Sequence, residues 1–287
     1  DQDSYIDYAF RERAFVAPSL ILKPTDGTTL TIQYEHRDEK VTGVAGTPAI
    51  GDRPARVPIS NFYGEPGLYD HWKSDAVYAR LEQKLSDQVK LRAGFGQYWG
   101  DYEYTGIYYN SLAADGHTLD RSFGLDSEFD HRNSQDAFAD IEAKFGVPGF
   151  EHTLLAGGDY HYQDYLYNWM DAGTFFGFYL PPTDLYNPTY GGFSHKAFND
   201  APPSTFGVSK AKWHGIYVQD QIKVLNDWHV LLGGRWDSAQ VTSGYAGNFG
   251  DARDLAGESW SEEHEFSPTA GLLYRPLHWL SIYGSYS

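Results

Sequence analysis

The chain has 287 residues, 41% of them hydrophobic and 17% aromatic, with no cysteine and a net charge of −17. The lack of cysteine excludes a disulfide framework and thiolate chemistry, and an acidic balance without a basic patch argues against nucleic acid as a partner. No apolar run reaches the roughly 18 residues of a membrane helix; a mean hydropathy of −0.52 still suits strands that turn only alternate residues toward an apolar medium.

Alternation with a period of two, the mark of a strand with two unlike faces, runs along most of the chain. It predicts about ten strands, at 11–23, 29–38, 73–85, 89–105, 131–147, 152–166, 207–224, 229–242, 263–275 and 279–287. Leu30, Ile32 and Tyr34 alternate with Thr31, Gln33, Glu35 and Arg37. Val77, Ala79 and Leu81 alternate with Tyr78, Arg80 and Glu82. Val89, Leu91, Ala93 and Phe95 alternate with Lys90, Arg92, Gly94 and Gly96. Ala137, Ala139, Ile141, Ala143 and Phe145 alternate with Phe138, Asp140, Glu142 and Lys144, and Leu154, Ala156, Gly158 and Tyr160 with Leu155, Gly157, Asp159 and His161. Val230, Leu232 and Trp236 oppose Arg235 and Asp237. Phe266, Ala270, Leu272 and Tyr274 oppose Thr269 and Arg275. One segment breaks the rule: Ile216, Val218 and Ile222 share a face with Asp220, and nothing in the sequence accounts for that carboxylate beyond its place near a turn.

The connections alternate in length. Pro24-Thr25-Asp26-Gly27, Ser86-Asp87-Gln88, Pro148-Gly149-Phe150, Leu225-Asn226-Asp227 and Pro276-Leu277-His278 are short and carry ordinary turn residues. Between them lie long connections at 39–72, 100–133, 163–206 and 243–265, which hold most of the excess negative charge. Loops of that length are unusual in a compact soluble domain and expected on one side of an up-and-down membrane barrel. The expected fold is therefore all-β: an antiparallel up-and-down transmembrane β-barrel segment of about ten long strands, all of 1–287 belonging to one barrel domain. Trp228 and Trp279 fall at the short-turn ends, where an interfacial girdle belongs; packing beside a turn is the alternative. With no initiator Met or signal segment at Asp1, and a halt in mid-strand at Ser287, the chain reads as an internal piece of a longer protein.

Several blocks carry a family resemblance. Gly215-Ile216-Tyr217-Val218-Gln219-Asp220-Gln221, Leu231-Leu232-Gly233-Gly234-Arg235-Trp236-Asp237, Phe266-Ser267-Pro268-Thr269-Ala270-Gly271-Leu272-Leu273-Tyr274-Arg275-Pro276 and Leu280-Ser281-Ile282-Tyr283-Gly284-Ser285-Tyr286-Ser287 resemble the barrel of TonB-dependent outer-membrane siderophore receptors. His152-Thr153-Leu154-Leu155-Ala156-Gly157-Gly158-Asp159-Tyr160, Leu185-Tyr186-Asn187-Pro188 and Val16-Ala17-Pro18-Ser19-Leu20 are similar to the ferrichrome-type branch. The resemblance implies a 22-stranded barrel around an N-terminal plug. It also implies binding of a ferric siderophore from outside and import powered through the TonB complex. The plug, the TonB box and the remaining strands are not in this sequence, so an open sheet with two unpaired edges is expected.

A siderophore chelate needs no protein ligand to its iron; the protein grips an organic shell with aromatic rings and a few donors. Two segments supply rings: Tyr98, Trp99, Tyr102, Tyr104, Tyr108 and Tyr109, and Tyr165, Tyr167, Trp169, Phe175, Phe176, Phe178 and Tyr179. Tyr108, Tyr109, Trp169 and Phe176 are the candidate ligand contacts, on the implication that comparable loops line the external pocket of ferrichrome-type receptors; packing within the loops is the alternative. The acidic loops would repel a strongly anionic triscatecholate complex and favour a hydroxamate. They could equally serve divalent cations beside lipopolysaccharide. Arg235, Asp237, Arg92, Lys90, Glu142, Lys144, Asp159 and His161 should share the interior face, as a wall against a plug or as a solvated lumen.

No catalytic motif is present: no His-Glu-x-x-His, nucleophile elbow, P-loop or dinucleotide fingerprint. The expectation is no enzyme, no catalytic residues, no metal site and no cofactor beyond the transported ferric siderophore. The expected setting is the outer membrane of a Gram-negative bacterium, among lipid and lipopolysaccharide. The alternatives are a receptor for cobalamin or haem, or, from another class, a secreted carbohydrate-binding or glycosidase β domain. A soluble sandwich would bury Leu30, Ile32, Ala79, Leu81, Leu91, Ala93, Ala139, Ile141, Leu154 and Ala156 under a second sheet.

Overall fold

The computed structural model describes residues 2–44, 46–127, 130–169, 179–191 and 205–287. Its strands are β1 (Gln2–Asp3), β2 (Phe10–Val16), β3 (Ser19–Thr25), β4 (Thr28–Val41), β5 (Ala49–Ile50), β6 (Arg53–Pro54), β7 (Asp70–Lys84) and β8 (Val89–Leu112). They continue with β9 (Thr118–Ser127), β10 (Asp130–Val147), β11 (Phe150–Trp169), β12 (Tyr179–Asp184), β13 (Thr205–Val224), β14 (Trp228–Ala246), β15 (Ser261–Leu277) and β16 (Leu280–Tyr286). Among the described residues a helix, α1 (Phe249–Glu258), interrupts the last long connection. No described helix is long and apolar enough to cross a membrane, a statement that leaves crossing by strands untouched.

Fourteen strands form one antiparallel sheet, ordered β1-β2-β4-β7-β8-β10-β11-β13-β14-β15-β16, with β3 beside β4 and β9 and β12 off the main path. Nearest neighbours in sequence are nearest neighbours in space, as short turns between antiparallel strands require. The path does not return on itself, so the sheet is open, as expected. Each of the ten predicted strands is present, and most run longer than predicted. The first is interrupted: β2 and β3 both pair with β4, separated at Ala17-Pro18. Proline has no N–H to donate to the ladder, and its carbonyl instead accepts from Tyr34 N at 3.1 Å.

Register decides which residues share a face. Leu30 lies opposite Leu81, Leu81 opposite Ala93, Ala93 opposite Ala139, and Ala139 opposite Gly158. Gly158 lies opposite Ile216, Ile216 opposite Trp236, and Trp236 opposite Phe266. This apolar row crosses eight strands without a slip, and no second sheet lies over it among the described residues; the only other sheet is the β5–β6 pair. Large apolar side chains stand open along the face: Ile216 is 64% exposed and Phe266 62%. A soluble sandwich does not leave such a face uncovered. Trp228, at the short-turn end, stacks on Tyr274 with ring centres 4.1 Å apart; Trp279 sits in a short turn. The exceptional Asp220 has a partner. Its Oδ2 lies 2.6 Å from His152 Nδ1, and the His152 ring stacks on Phe145, so a carboxylate in the apolar row is matched by the adjacent strand.

Among the described residues, two buried apolar clusters lie at the long-loop end. One gathers Ala55, Tyr63, Leu119 and Leu185, with Val57 and Leu112 against it. The other gathers Leu166, Val208, Ala252 and Ala256, where α1 rests on β13 and β14. Asn248 caps α1, its side chain accepting from Asp251 N at 2.9 Å. Gly244 lets the helix come close, since a Cβ there would meet Ala256 N at 2.6 Å.

The long connections are more ordered than a loop reading expects. In 100–133, β8 continues to Leu112, turns at Asp115-Gly116 and returns as β9, which β12 joins from the next connection. Asp115 accepts from His117 N, Thr118 N and Thr118 Oγ1. These bonds, the Thr118 hydroxyl first, draw its carboxyl down to about 2, and Gly116 supplies a positive φ of 71°.

Candidate functional site

On the face opposite the apolar row, polar side chains pair across strands. Arg92 Nε donates to Asp140 Oδ1 at 2.6 Å, and Tyr217 donates to Asp140 Oδ2 at 3.3 Å. Arg235 holds Asp159 with two bonds, at 2.6 and 2.8 Å, and Asp237 as well. Gly157 and Gly215 make room for these chains to lie flat: a Cβ at Gly157 would meet Asp140 Cβ at 2.6 Å, and one at Gly215 would meet the Arg235 guanidinium. Arg92, Lys90, Glu142, Lys144, Asp159, His161, Arg235 and Asp237 do share this face, by register. His161 Nδ1 lies 2.6 Å from Asp136 Oδ1, beside Trp213. No set of three metal-ligating side chains forms among the described residues.

Toward the long-loop end the same face becomes aromatic. Two adjacent rows carry the change. In one, Arg13 lies opposite Glu39, Glu39 opposite Trp72, and Trp72 opposite Tyr102; farther along, Asp130 lies opposite Tyr167, Tyr167 opposite Gly207, and Gly207 opposite Tyr245. In the other, Phe15 lies opposite Arg37, and Gly100 and Tyr165 flank Arg132. The rings touch in sequence: Trp72 and Tyr102 at 4.9 Å, Tyr102 and Tyr104 at 6.0 Å, Tyr165 and Tyr167 at 4.4 Å, and Tyr167 and Tyr245 at 6.2 Å.

Cations are threaded through these rings. Arg132 lies over Tyr165 at 4.9 Å and Trp72 at 5.5 Å, and Arg37 over Trp72 at 5.2 Å. Such contacts stabilise by about 0.5–2 kcal/mol each, more as water is excluded. Arg132 is also fixed by Asp130, with Nε and Nη2 each 3.0 Å from its carboxylate, and Tyr165 donates to the same carboxylate at 2.8 Å. These residues lie beyond the ends of the apolar rows on β8 and β11, at Phe95 and Tyr160. Burial, then Asp70, pushes the Tyr102 phenol up to about 12. Burial, then Asp130, does the same to Tyr165. Both phenols are therefore neutral donors at any ordinary pH.

Of the four predicted contacts, Tyr108 and Tyr109 lie in the β8–β9 hairpin, their backbones opposite Ser122 and Arg121. Trp169 ends β11 opposite Thr205. The side chains of these three, and Phe176 altogether, lie outside the described residues. Within the two aromatic segments, Tyr102, Tyr104, Tyr165 and Tyr167 come together on one wall. Trp99 does not, because its register with Asp75 and Asn133 puts it on the opposite face. Trp72, Arg132 and Asp130 escaped the sequence reading, and Arg37, read there as a polar-face residue, was not singled out as part of the site. The signal for them was parity: each sits an even number of residues from a polar-face position in its own strand.

Above this wall the long connections form a cap around Arg121, which is 1% exposed. Its guanidinium donates to the carbonyls of Gly64 at 2.6 Å and Pro181 at 3.0 Å and lies 3.6 Å from Glu65. Tyr63 donates to Leu185 O at 2.8 Å and Tyr190 to Phe62 O at 2.9 Å. The chain around 62–65 is thus joined to β9, to β12 and to the segment after it.

The family model described as TonB dependent receptor-like, beta-barrel matches residues 17–287. The metal-pseudopaline receptor of Pseudomonas aeruginosa is 26% identical over all of this chain and 39% of its own length. The ferrichrome outer membrane transporter/phage receptor of Escherichia coli K12 is 26% identical over 81% of this chain and 34% of its own. The chain thus spans well under half the length of these relatives. Among solved structures, the ferric preacinetobactin receptor of Acinetobacter baumannii superposes with a TM-score of 0.80 at 17% identity, covering 99% of this chain and 40% of that one; this likeness is one of fold.

Proposed function

This chain belongs to the TonB-dependent receptor β-barrel family, and we propose that it forms one arc of the wall of a Gram-negative outer-membrane receptor that imports a ferric siderophore of hydroxamate type. In this reading residues 1–287 are part of a single barrel domain. The apolar rows face lipid, the short turns face the periplasm, and the long connections face outward beside lipopolysaccharide. The receptor transports and does not catalyse, and import is powered by the TonB complex acting through a plug inside the barrel.

The observation that carries the reading is the register. It places an apolar face on one side and, at the long-loop end of the other, two groups of rings, Trp72-Tyr102-Tyr104 and Tyr165-Tyr167-Tyr245, bridged by Arg132 over Trp72 and Tyr165. Flat rings with a few fixed donors suit an organic chelate shell. Asp130 neutralises Arg132 within that wall, which suits a chelate of low charge, and the relative named for ferrichrome points the same way. In this reading Tyr108, Tyr109, Trp169 and Phe176 also contact the chelate.

The test is titration of the full-length receptor with ferric hydroxamate, catecholate and citrate chelates, following tryptophan fluorescence. Quenching by a hydroxamate, weakened about tenfold or more by Trp72→Ala, a loss of roughly 1.4 kcal/mol, is expected. Silence toward every hydroxamate overturns the ligand class; silence toward every ferric chelate overturns the transport reading.

A further inference from the structure

Arg80, Arg92, Arg132 and Arg235 on the polar face each have a carboxylate within 3.0 Å. Where β2 meets β4 the ratio is different. Three guanidiniums converge on the single carboxylate of Glu39: Arg37 Nη2 at 2.5 Å, Arg11 Nη2 at 2.6 Å and Arg13 Nε at 3.7 Å. Glu39 is 4% exposed, whereas Arg11 is 47% and Arg13 44% exposed. Register puts all four side chains on the polar face, since Arg11 and Arg13 lie opposite Val41 and Glu39. Glu39 orients the triad and cancels one of its three charges. With Asp70, which lies opposite Val41 in the row of Arg11 and accepts from Tyr102, one net positive charge remains, on forked groups of five N–H donors each, in a chain that is otherwise strongly acidic. The neighbouring rings fix the arginines further: Arg13 lies over Phe15 at 5.0 Å and Arg37 over Trp72 at 5.2 Å. Trp72 is thus shared between the triad and the aromatic wall.

We propose that Arg11, Arg13 and Arg37 form a binding site for a carboxylate at the periphery of the incoming ligand, held while the chelate core lies on the aromatic wall. A planar carboxylate matches the guanidinium fork with two parallel hydrogen bonds, and Arg11 and Arg13 are nearly half exposed on this face. The ligand then carries an anionic group besides those that hold iron. The acidic outer connections set a low limit on how many such groups it carries. The assignment rests on the reading that this face lines the import path.

The test uses the full-length receptor and two ferric probes, a linear trihydroxamate ending in an amine and its N-succinyl derivative, with tryptophan fluorescence as readout. The succinyl probe should bind about tenfold more tightly, in line with a charged hydrogen-bonded contact. The double variant Arg11→Gln/Arg13→Gln should bring the two affinities together; Arg37 stays in place to satisfy Glu39, and an unchanged thermal unfolding midpoint verifies the fold. Equal affinities in the unaltered receptor, or a preference that survives in the variant, overturn the site. A third probe, ferric citrate, separates the two readings. If neither hydroxamate binds, the proposed ligand class fails by itself; citrate binding that the double variant abolishes then supports the arginine site, and no citrate binding overturns it.

Discussion

At the scale of the residue, environment assigns roles that residue type alone leaves open. Tyr102 and Tyr165 belong to a chain of 23 tyrosines, yet each is set apart by burial and by a carboxylate that accepts its hydroxyl proton. Both pKa values are raised from 10.0 to about 12, so the folded state favours the protonated phenol. The stability this confers is complete below pH 10 and is lost as pH rises through 12. In an alkaline titration followed by tyrosinate absorbance, these two phenols should ionise about two pH units above the ordinary tyrosine value of 10.0. Tyr102→Phe and Tyr165→Phe should each shorten the late phase; an unchanged late phase in both would refute the assignment. Arg121 makes the complementary point. A guanidinium in an acidic loop reads as a solvated charge, but here it satisfies backbone carbonyls from two distant segments, as a buried cation must.

At the scale of the element, the strand's two-residue period does most of the work. Ala139 lies between Ala93 and Gly158 in the apolar row, and Thr153 faces the other side. Ala139→Arg should cost about 2–4 kcal/mol if that position lies near the bilayer midplane. Thr153→Arg should stay within about 0.5 kcal/mol, as for an ordinary surface change. Urea-dependent folding into lipid vesicles measures both, and similar costs for the two would contradict the assignment of faces. The long strands themselves were legible because alternation repeats in most of them. The break at Pro18, the β8–β9 hairpin and α1 were harder to see. Pro18 sits in an otherwise continuous pattern, Asp115-Gly116 is a lone turn signal inside a polar stretch, and α1 takes its apolar side from two alanines that match a glycine on β14.

At the scale of the whole molecule, the open sheet has consequences. Inside a bilayer each unpaired backbone group costs several kcal/mol, and β16 leaves one edge of the sheet without a neighbour. Residues 1–287 produced alone should therefore fail to insert as a heat-modifiable monomer and should instead self-associate through their edges. A monomeric, protease-resistant inserted species would refute this. The sequence by itself determined the ten long strands, their faces and the two classes of connection, because alternation and turn chemistry are local properties of the chain. It also drew attention to the aromatic segments. Only the tertiary structure decided which rings face the wall, that His152 answers Asp220, that Glu39 gathers three arginines and that Arg121 joins the cap. Each of those depends on register between strands tens of residues apart, and register is set by the pairing of whole strands, which no single segment encodes.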